Sequence, residues 1–401
     1  MDQGSNEMIY SKAGDFHHLN FSKRKFKNLC DWKPASDDVF YHHFYNEQQR
    51  GIRFSDCVDE KHWDHIRKTP TTKVLHENCG ETFNFLFVLD VIRLVELHKI
   101  NPNQIYIVVM DELHREFLES NLTKYGITGI NFASFNYLLS HIQPVEGDVT
   151  TVNKFSILSR NYRPWRLNLY SKLIEQGLLD KFVYSFYNIH PYEQTVFTVT
   201  TMIDDLKELT SKPVSPEVLD WLFKVPYTLD STDNVYNKWA NVTYQTVAES
   251  DFHIAIETHF DHFLSHNNGQ YQRGYCPNFI TEKTYKAMAC NRPFMVFATP
   301  HFLDDLKFMG YKTFSDYINE DYDAEEDNYK RLEMLVAEVS RITSLPDAEY
   351  NTLIKNLESI CEYNYQHVLK QSVKKIDSPN FEFLEELYRC DIPNIFKRIF
   401  K

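Results

Sequence analysis

Apolar positions along this chain switch repeatedly between short unbroken runs and one-sided helical stripes, and that alternation predicts an α/β protein. In the first third, 73–76 reads as a short strand, Glu77-Asn-Cys-Gly-Glu81 as a loop, and 82–98 as a helix with Phe83, Leu86, Phe87, Val91, Leu94 and Val95 on one face. A buried strand over 105–110, a helix over 111–125 and a strand over 130–134 follow. Repeated βαβ units of this kind build a parallel sheet covered by helices.

The turn-rich segment Gln143-Pro-Val-Glu-Gly-Asp148 marks a boundary, and a second series starts beyond it. It predicts a strand over 155–158, a helix over 166–177, a strand over 182–186, an irregular region to about 247, a strand over 253–256, a helix starting near Thr281 and a strand over 293–299. Helices over 327–343, 347–370 and 381–400 make the C-terminal segment helical. A length of 401 residues exceeds what one core normally serves, so two Rossmann-like domains are expected, 1–150 and 151–378, with 379–401 crossing back to the first.

Composition narrows the class. The hydrophobic share is 43%, ordinary for a globular protein. No apolar run approaches the roughly 20 residues that span a bilayer. Met1-Asp-Gln-Gly-Ser-Asn-Glu7 lacks the basic flank and apolar core of a signal peptide, so a cytoplasmic location without membrane association is expected. Seven cysteines occur with no Cys-x-x-Cys pair, which argues against a zinc knuckle or a disulfide framework. A net charge of −13 argues against binding nucleic acid by bulk electrostatics, although Lys23-Arg-Lys25 and Lys397-Arg398 are local basic clusters.

Two stretches carry candidate chemistry. Thr281-Glu-Lys-Thr284 places a capping hydroxyl, a carboxylate and a cation in the first turn of a helix, where unpaired N–H groups and the macrodipole favour anions. The bland alternative is a capped helix with a solvated Glu-Lys pair. Ser159-Arg-Asn-Tyr-Arg-Pro-Trp-Arg166 sets three arginines at the C-terminal end of a strand, where α/β sheets bind ligands. Arg160 and Arg163 suit bidentate contact with phosphate, with Arg166 assigned to structure. The competing explanation is a loop whose arginines pair with acidic neighbours.

Asp251-Phe-His-Ile-Ala-Ile-Glu-Thr258, then Phe279-Ile-Thr-Glu-Lys283, then Arg292-Pro-Phe-Met-Val-Phe297 resemble the donor-site signature of the alpha-1,3-fucosyltransferase family. The resemblance covers roughly 154–315. The chain differs from the pattern at Thr258, where the family has Asn, and at Asn291-Arg292-Pro293, which replaces a small-residue turn. The resemblance implies a GT-B architecture, two Rossmann-like domains facing a cleft, and an inverting, metal-independent glycosyltransferase. It implies a nucleotide-diphosphate sugar, UDP- or GDP-linked, as donor substrate, with no cofactor. Lys283 would then face the diphosphate, Glu282 the ribose hydroxyls, and Glu257 would lie near the donor. It further associates the chain with anchorless microbial or viral members, and so with the host cytoplasm if viral.

Inverting transfer needs a base for the acceptor hydroxyl. Glu77 and Glu81, in a turn with His76, are the expected choices, with Asp111 at the end of the next strand as the alternative; helix capping competes for all of them. Three functional classes remain open. They are a transferase acting on a glycan, a transferase acting on hydroxymethylated cytosine in phage DNA, and a non-catalytic nucleotide- or glycan-binding viral protein that keeps the fold.

Overall fold

The computed structural model describes residues 39–43, 60–78, 85–134, 136, 138–139, 142, 144–145, 147, 149–189, 196–229, 241–261 and 277–372. The chain divides into two compact units, one carrying a first sheet through Leu138 and the other a second sheet from Leu139.

The first unit contains β1 (Val39–His43), α1 (Glu60–Lys68), β2 (Lys73–Asn78), α2 (Phe85–Glu96), β3 (Ile105–Val109), α3 (Glu112–Lys124) and β4 (Asn131–Ser134). Its four strands are parallel, in the order β1-β2-β3-β4. β3 reads Ile-Tyr-Ile-Val-Val with four of its five residues buried, as a strand covered on both faces requires. Phe87, Val88, Val91 and Leu94 of α2 pack into the same core as Ile105, Ile107 and Val109. Buried Gln104 donates its amide hydrogens to Ile66 O, Thr69 O and Thr72 O, each at 3.0 Å, and so ties the end of α1 to the entrance of β3.

Three differences from the sequence reading stand out here. β1 and α1 were not foreseen. β2 runs on through Glu77 and Asn78, so the expected turn begins later than 77. His76 is fully buried, with its ring edge-on to Phe87 at 5.3 Å, which makes it a core residue.

The second unit contains β5 (Asn153–Asn161), α4 (Pro164–Glu175), β6 (Phe182–Ile189), α5 (Val199–Thr210), α6 (Pro216–Leu222), α7 (Asn241–Ala248), β7 (Ser250–Ile256), α8 (Glu282–Ala289), β8 (Phe294–Phe297), α9 (Phe302–Phe308), α10 (Asn328–Thr343) and α11 (Asp347–Ser372). All four strands are parallel, in the order β6-β5-β7-β8. The stretch expected to be irregular up to 247 instead holds three helices, α5 to α7. Thr198 and Ser215 cap the first two, and Met202, Leu206, Val218 and Leu222 bury into the core. Helices α10 and α11 follow the predicted spans closely, with Asp327 capping α10 through bonds from Tyr329 N and Lys330 N. The expected final helix over 381–400, and the basic clusters at 23–27 and 397–401, lie outside the described residues.

The strand order fixes where a ligand can sit. From β5 the chain moves outward to β6, then returns past β5 to β7 and β8, so the sheet reverses direction between β5 and β7. In an open parallel sheet this reversal opens a crevice at the carboxyl ends of the two strands.

Candidate functional site

The carboxyl end of β5 carries Ser159, Arg160, Tyr162 and Arg163, and the carboxyl end of β7 carries Glu257, Thr258 and His259. Arg160 and Arg163 therefore lie at the carboxyl edge of this sheet, and the Thr-Glu-Lys turn is bonded to Glu257 and Thr258 at the same edge. Glu77 and Asp111, on the first sheet, belong to the other unit.

Near Arg160 the pairing of β5 with β6 slips, Ser159 facing Phe186 while Asn161 faces Ile189. An irregularity of this kind bends a strand and re-aims the side chains around it. Tyr162 then anchors the segment. It is buried, its ring lies 4.4 Å from that of Phe197, and its hydroxyl donates to Asp205 Oδ2 at 2.5 Å. Arg163 occupies the N-cap of α4 without using its side chain to cap, and Pro164 opens the helix at a position where no N–H is needed. Ser159 is buried, and its hydroxyl makes no hydrogen bond among the described residues.

Glu257 is 2% exposed, and its carboxylate is engaged on both oxygens by the start of α8. Thr281 N (3.2 Å) and Thr284 Oγ1 (2.6 Å) donate to Oε1, and Thr281 Oγ1 (2.6 Å) donates to Oε2. Thr281 is the N-cap, and its Oγ1 also accepts from Lys283 N at 3.3 Å. The anion favoured by this helix terminus is thus supplied by the chain itself. Burial of this carboxyl group is tolerated because three donors replace its water.

What faces outward from this cap is side-chain charge. Lys283 Nζ donates to Thr281 Oγ1 (2.9 Å) and Thr258 Oγ1 (3.3 Å), and lies 3.4 Å from Glu282 Oε1 and 4.0 Å from Glu257 Oε2. The Lys283 and Glu282 side chains are 24% and 26% exposed. Burial works against the charge of Glu282, but the Lys283 and Lys286 ammonium groups outweigh it and hold the carboxyl below its usual range. Arg166 is buried and donates Nη2 to Glu257 O at 2.9 Å; burial first, then Arg163, bring its guanidinium down to about 9. Burial also lowers Lys286, with Arg160 and Lys283 adding to the effect and Glu282 opposing it. Burial is the largest influence on all three groups, and neighbouring cations add to it for Arg166 and Lys286 while outweighing it for Glu282.

On the first sheet, Asp111 caps α3. Its Oδ1 accepts from His114 N at 3.0 Å and lies 2.6 Å from His114 Nδ1. It is 5% exposed, and its Oδ2 makes no hydrogen bond among the described residues. Glu77 lies on β2 between His43 and Val108, one strand over from Asp111 at the same carboxyl end. Glu81 lies outside the described residues.

Among the described residues, no group of three or more His, Cys, Asp or Glu is placed to hold a metal ion. No helix among them is long and apolar enough to cross a membrane. Sequence reasoning passed over Ser159, Lys286 and His259, because a lone hydroxyl, an amphipathic lysine and a lone histidine carry no local pattern.

No protein-family model matches the chain, and no curated protein matches it. Among solved structures it is similar to an alpha,alpha-trehalose-phosphate synthase (UDP-forming) from Burkholderia vietnamiensis, with 10% identity, TM-score 0.42, and 93% of this chain and 75% of that one covered. It is similar to the apo structure of OtsA, with 10% identity, TM-score 0.40, and 88% and 76% covered. It is also similar to an E. coli structure described as trehalose-6-phosphate bound with UDP-2-fluoro glucose, with 11% identity, TM-score 0.39, and 88% and 76% covered. Likeness at this level does not assign an activity.

Proposed function

We propose that the protein is a glycosyltransferase of the GT-B type that moves a sugar from a nucleotide-diphosphate donor to an acceptor hydroxyl, by inverting displacement and without a metal. The observation that supports this reading is the reversal of strand order between β5 and β7, with Arg160 and Arg163 following β5 and Lys283 bonded to Thr258 after β7. A departing nucleoside diphosphate gains negative charge as the glycosidic bond breaks, and fixed cations stabilise it there. In this reading Arg160, Arg163 and Lys283 bind the diphosphate and Glu282 accepts from the ribose hydroxyls. Glu257 acts indirectly, by fixing Thr281 and the turn that carries Lys283.

The base comes from the carboxyl ends of β2 and β3, from Glu77, Glu81 or Asp111. A net charge of −13 favours a neutral glycan over DNA as acceptor, since a DNA acceptor needs a basic surface around the target base. The test is a thermal-shift screen against UDP-, GDP-, ADP-, CMP- and dTDP-sugars, because a ligand that binds only the folded state raises the melting temperature. A selective shift lost in Lys283→Ala supports the reading. Absence of any shift overturns it.

A further inference from the structure

Trp165 stands in the first turn of α4 and meets two rings from other elements. Phe260, just past the end of β7, lies 5.2 Å away and tilted by 47°, and Tyr329 of α10 lies 5.0 Å away at 61°. Phe260 is itself held between the Phe297 ring, parallel at 3.8 Å, and the Arg331 guanidinium, 4.3 Å from its centre. Arg331 donates to Phe260 O and, at 3.2 Å, to Ala298 O, which fixes this stack to the exits of β7 and β8. Tyr329 is tied down as well, its hydroxyl donating to Leu209 O at the end of α5. A fixed frame therefore backs the indole. Neither neighbour lies parallel to it, and it is partly exposed beside a Tyr329 that is 43% exposed. Among the described residues, no ring is stacked flat on Trp165.

The same turn favours an anion. Arg163 is the N-cap of this 12-residue helix and makes no side-chain cap bond, so the helix start lies at the carboxyl edge of the sheet with its dipole unanswered by a cap. On the strand below, Ser159 pairs in register with Phe186, whose ring meets Tyr170 of α4 at 4.9 Å; both side chains thus lie on the α4 side of the sheet. The Ser159 hydroxyl is buried there without a hydrogen bond among the described residues, an arrangement that costs stability unless a partner is supplied. An indole without a flat partner, a helix start without a cap and a hydroxyl without an acceptor suit a ligand aromatic at one end and anionic at the other. A nucleotide has that chemistry.

We propose that Trp165 is the platform on which the base of a bound nucleotide stacks, with the phosphate end toward the start of α4. That the nucleotide is a sugar donor rests on the reading above; the stacking does not. Every base has a π face, so an aromatic platform adds affinity with little preference among bases. Choice of base then falls to hydrogen bonds at its edge.

The experiment is calorimetry on the full chain with UDP, GDP, ADP, CDP and dTDP, against inorganic pyrophosphate, which keeps the diphosphate and lacks a base. At least one nucleotide should bind about 10-fold or more tightly than pyrophosphate. In Trp165→Leu this advantage should fall below about 3-fold while pyrophosphate affinity stays as it was. An advantage that survives in Trp165→Leu overturns the proposal, and so does equal binding of nucleotides and pyrophosphate, or binding of none. Should Trp165→Leu show no melting transition, Trp165→Phe keeps a ring in the frame and decides by fluorescence. A stacked base quenches indole emission, and the chain has five tryptophans, so a quench lost in Trp165→Phe belongs to this one. A quench that persists in Trp165→Phe overturns the platform. Free nucleosides that quench Trp165 with no binding of any nucleotide sugar would keep the platform and remove the donor reading. Nucleotide-sugar binding with Trp165 silent would do the reverse.

Discussion

Glu257 and Thr284, 27 positions apart in sequence, meet through a 2.6 Å hydrogen bond that closes the end of β7 onto the first turn of α8. With the two bonds from Thr281, it makes a buried side chain that accepts three hydrogen bonds the hub of the turn that carries Lys283. Replacing Glu257 with Ala leaves two hydroxyls and one backbone N–H without their acceptor. Equilibrium urea denaturation should show a loss of about 2–5 kcal/mol. A loss under about 1 kcal/mol would mean that α8 does not depend on this hub.

Lys283→Ala separates ligand contact from folding. The side chain is partly exposed and, among the described residues, bonded to threonine hydroxyls and neighbouring carboxylates, so its removal should cost little stability. Nucleotide-sugar affinity, measured by calorimetry, should fall about 10- to 100-fold. Arg163→Ala should weaken binding similarly and flatten its dependence on salt, since one fewer cation is in play.

The base can be found by keeping binding and losing transfer. Glu77→Gln, Glu81→Gln and Asp111→Asn should each bind donor as the unaltered protein does, and one of them should lose transfer about 100-fold or more. Asp111→Asn keeps a good capping residue, so its stability should stay within about 1 kcal/mol. Full transfer activity in all three variants would move the base elsewhere.

Stability should respond to pH through Asp323. Burial pushes this carboxyl up to about 7, with Asp304 and Glu320 adding to the shift and the Leu303 N–H bonded to its Oδ2 opposing it. The folded state therefore holds the proton more tightly than the unfolded chain does, and this contribution falls as pH rises from about 4 to about 7. Asp323→Asn retains an oxygen for Leu303 N–H and should raise stability at about pH 8 by an amount on the order of 1–3 kcal/mol. An unchanged denaturation midpoint at both ends of that range would place the charge of Asp323 in solvent.

Much of this architecture can be read from the chain because its strands are apolar runs and its long helices are one-sided. β3, β7 and β8 announce themselves by composition, and Thr281 and Asp327 do cap the helices that the pattern starts there. α1 stays hidden because Glu60–Lys68 has only Trp63 and Ile66 as large apolar residues, a stripe too thin to separate from a polar loop. α5 is masked by its opening Val-Thr-Thr, whose β-branched side chains read as extended. The committed state of Glu257 is a matter of distance: its partners come from a turn more than twenty residues away, and no local spacing encodes that.

A helix terminus is a fixed device, since its pull on anions comes from backbone and cannot be edited one residue at a time. Here that pull is already spent on Glu257, and the groups turned toward the crevice are side chains on short turns. Selectivity at this site can therefore drift by single codon changes at positions such as 160, 163 and 283 while the sheet and its caps remain as they are. Sequence similarity among chains built this way should fade at the ligand-facing positions sooner than in the carboxylate and threonines beneath them.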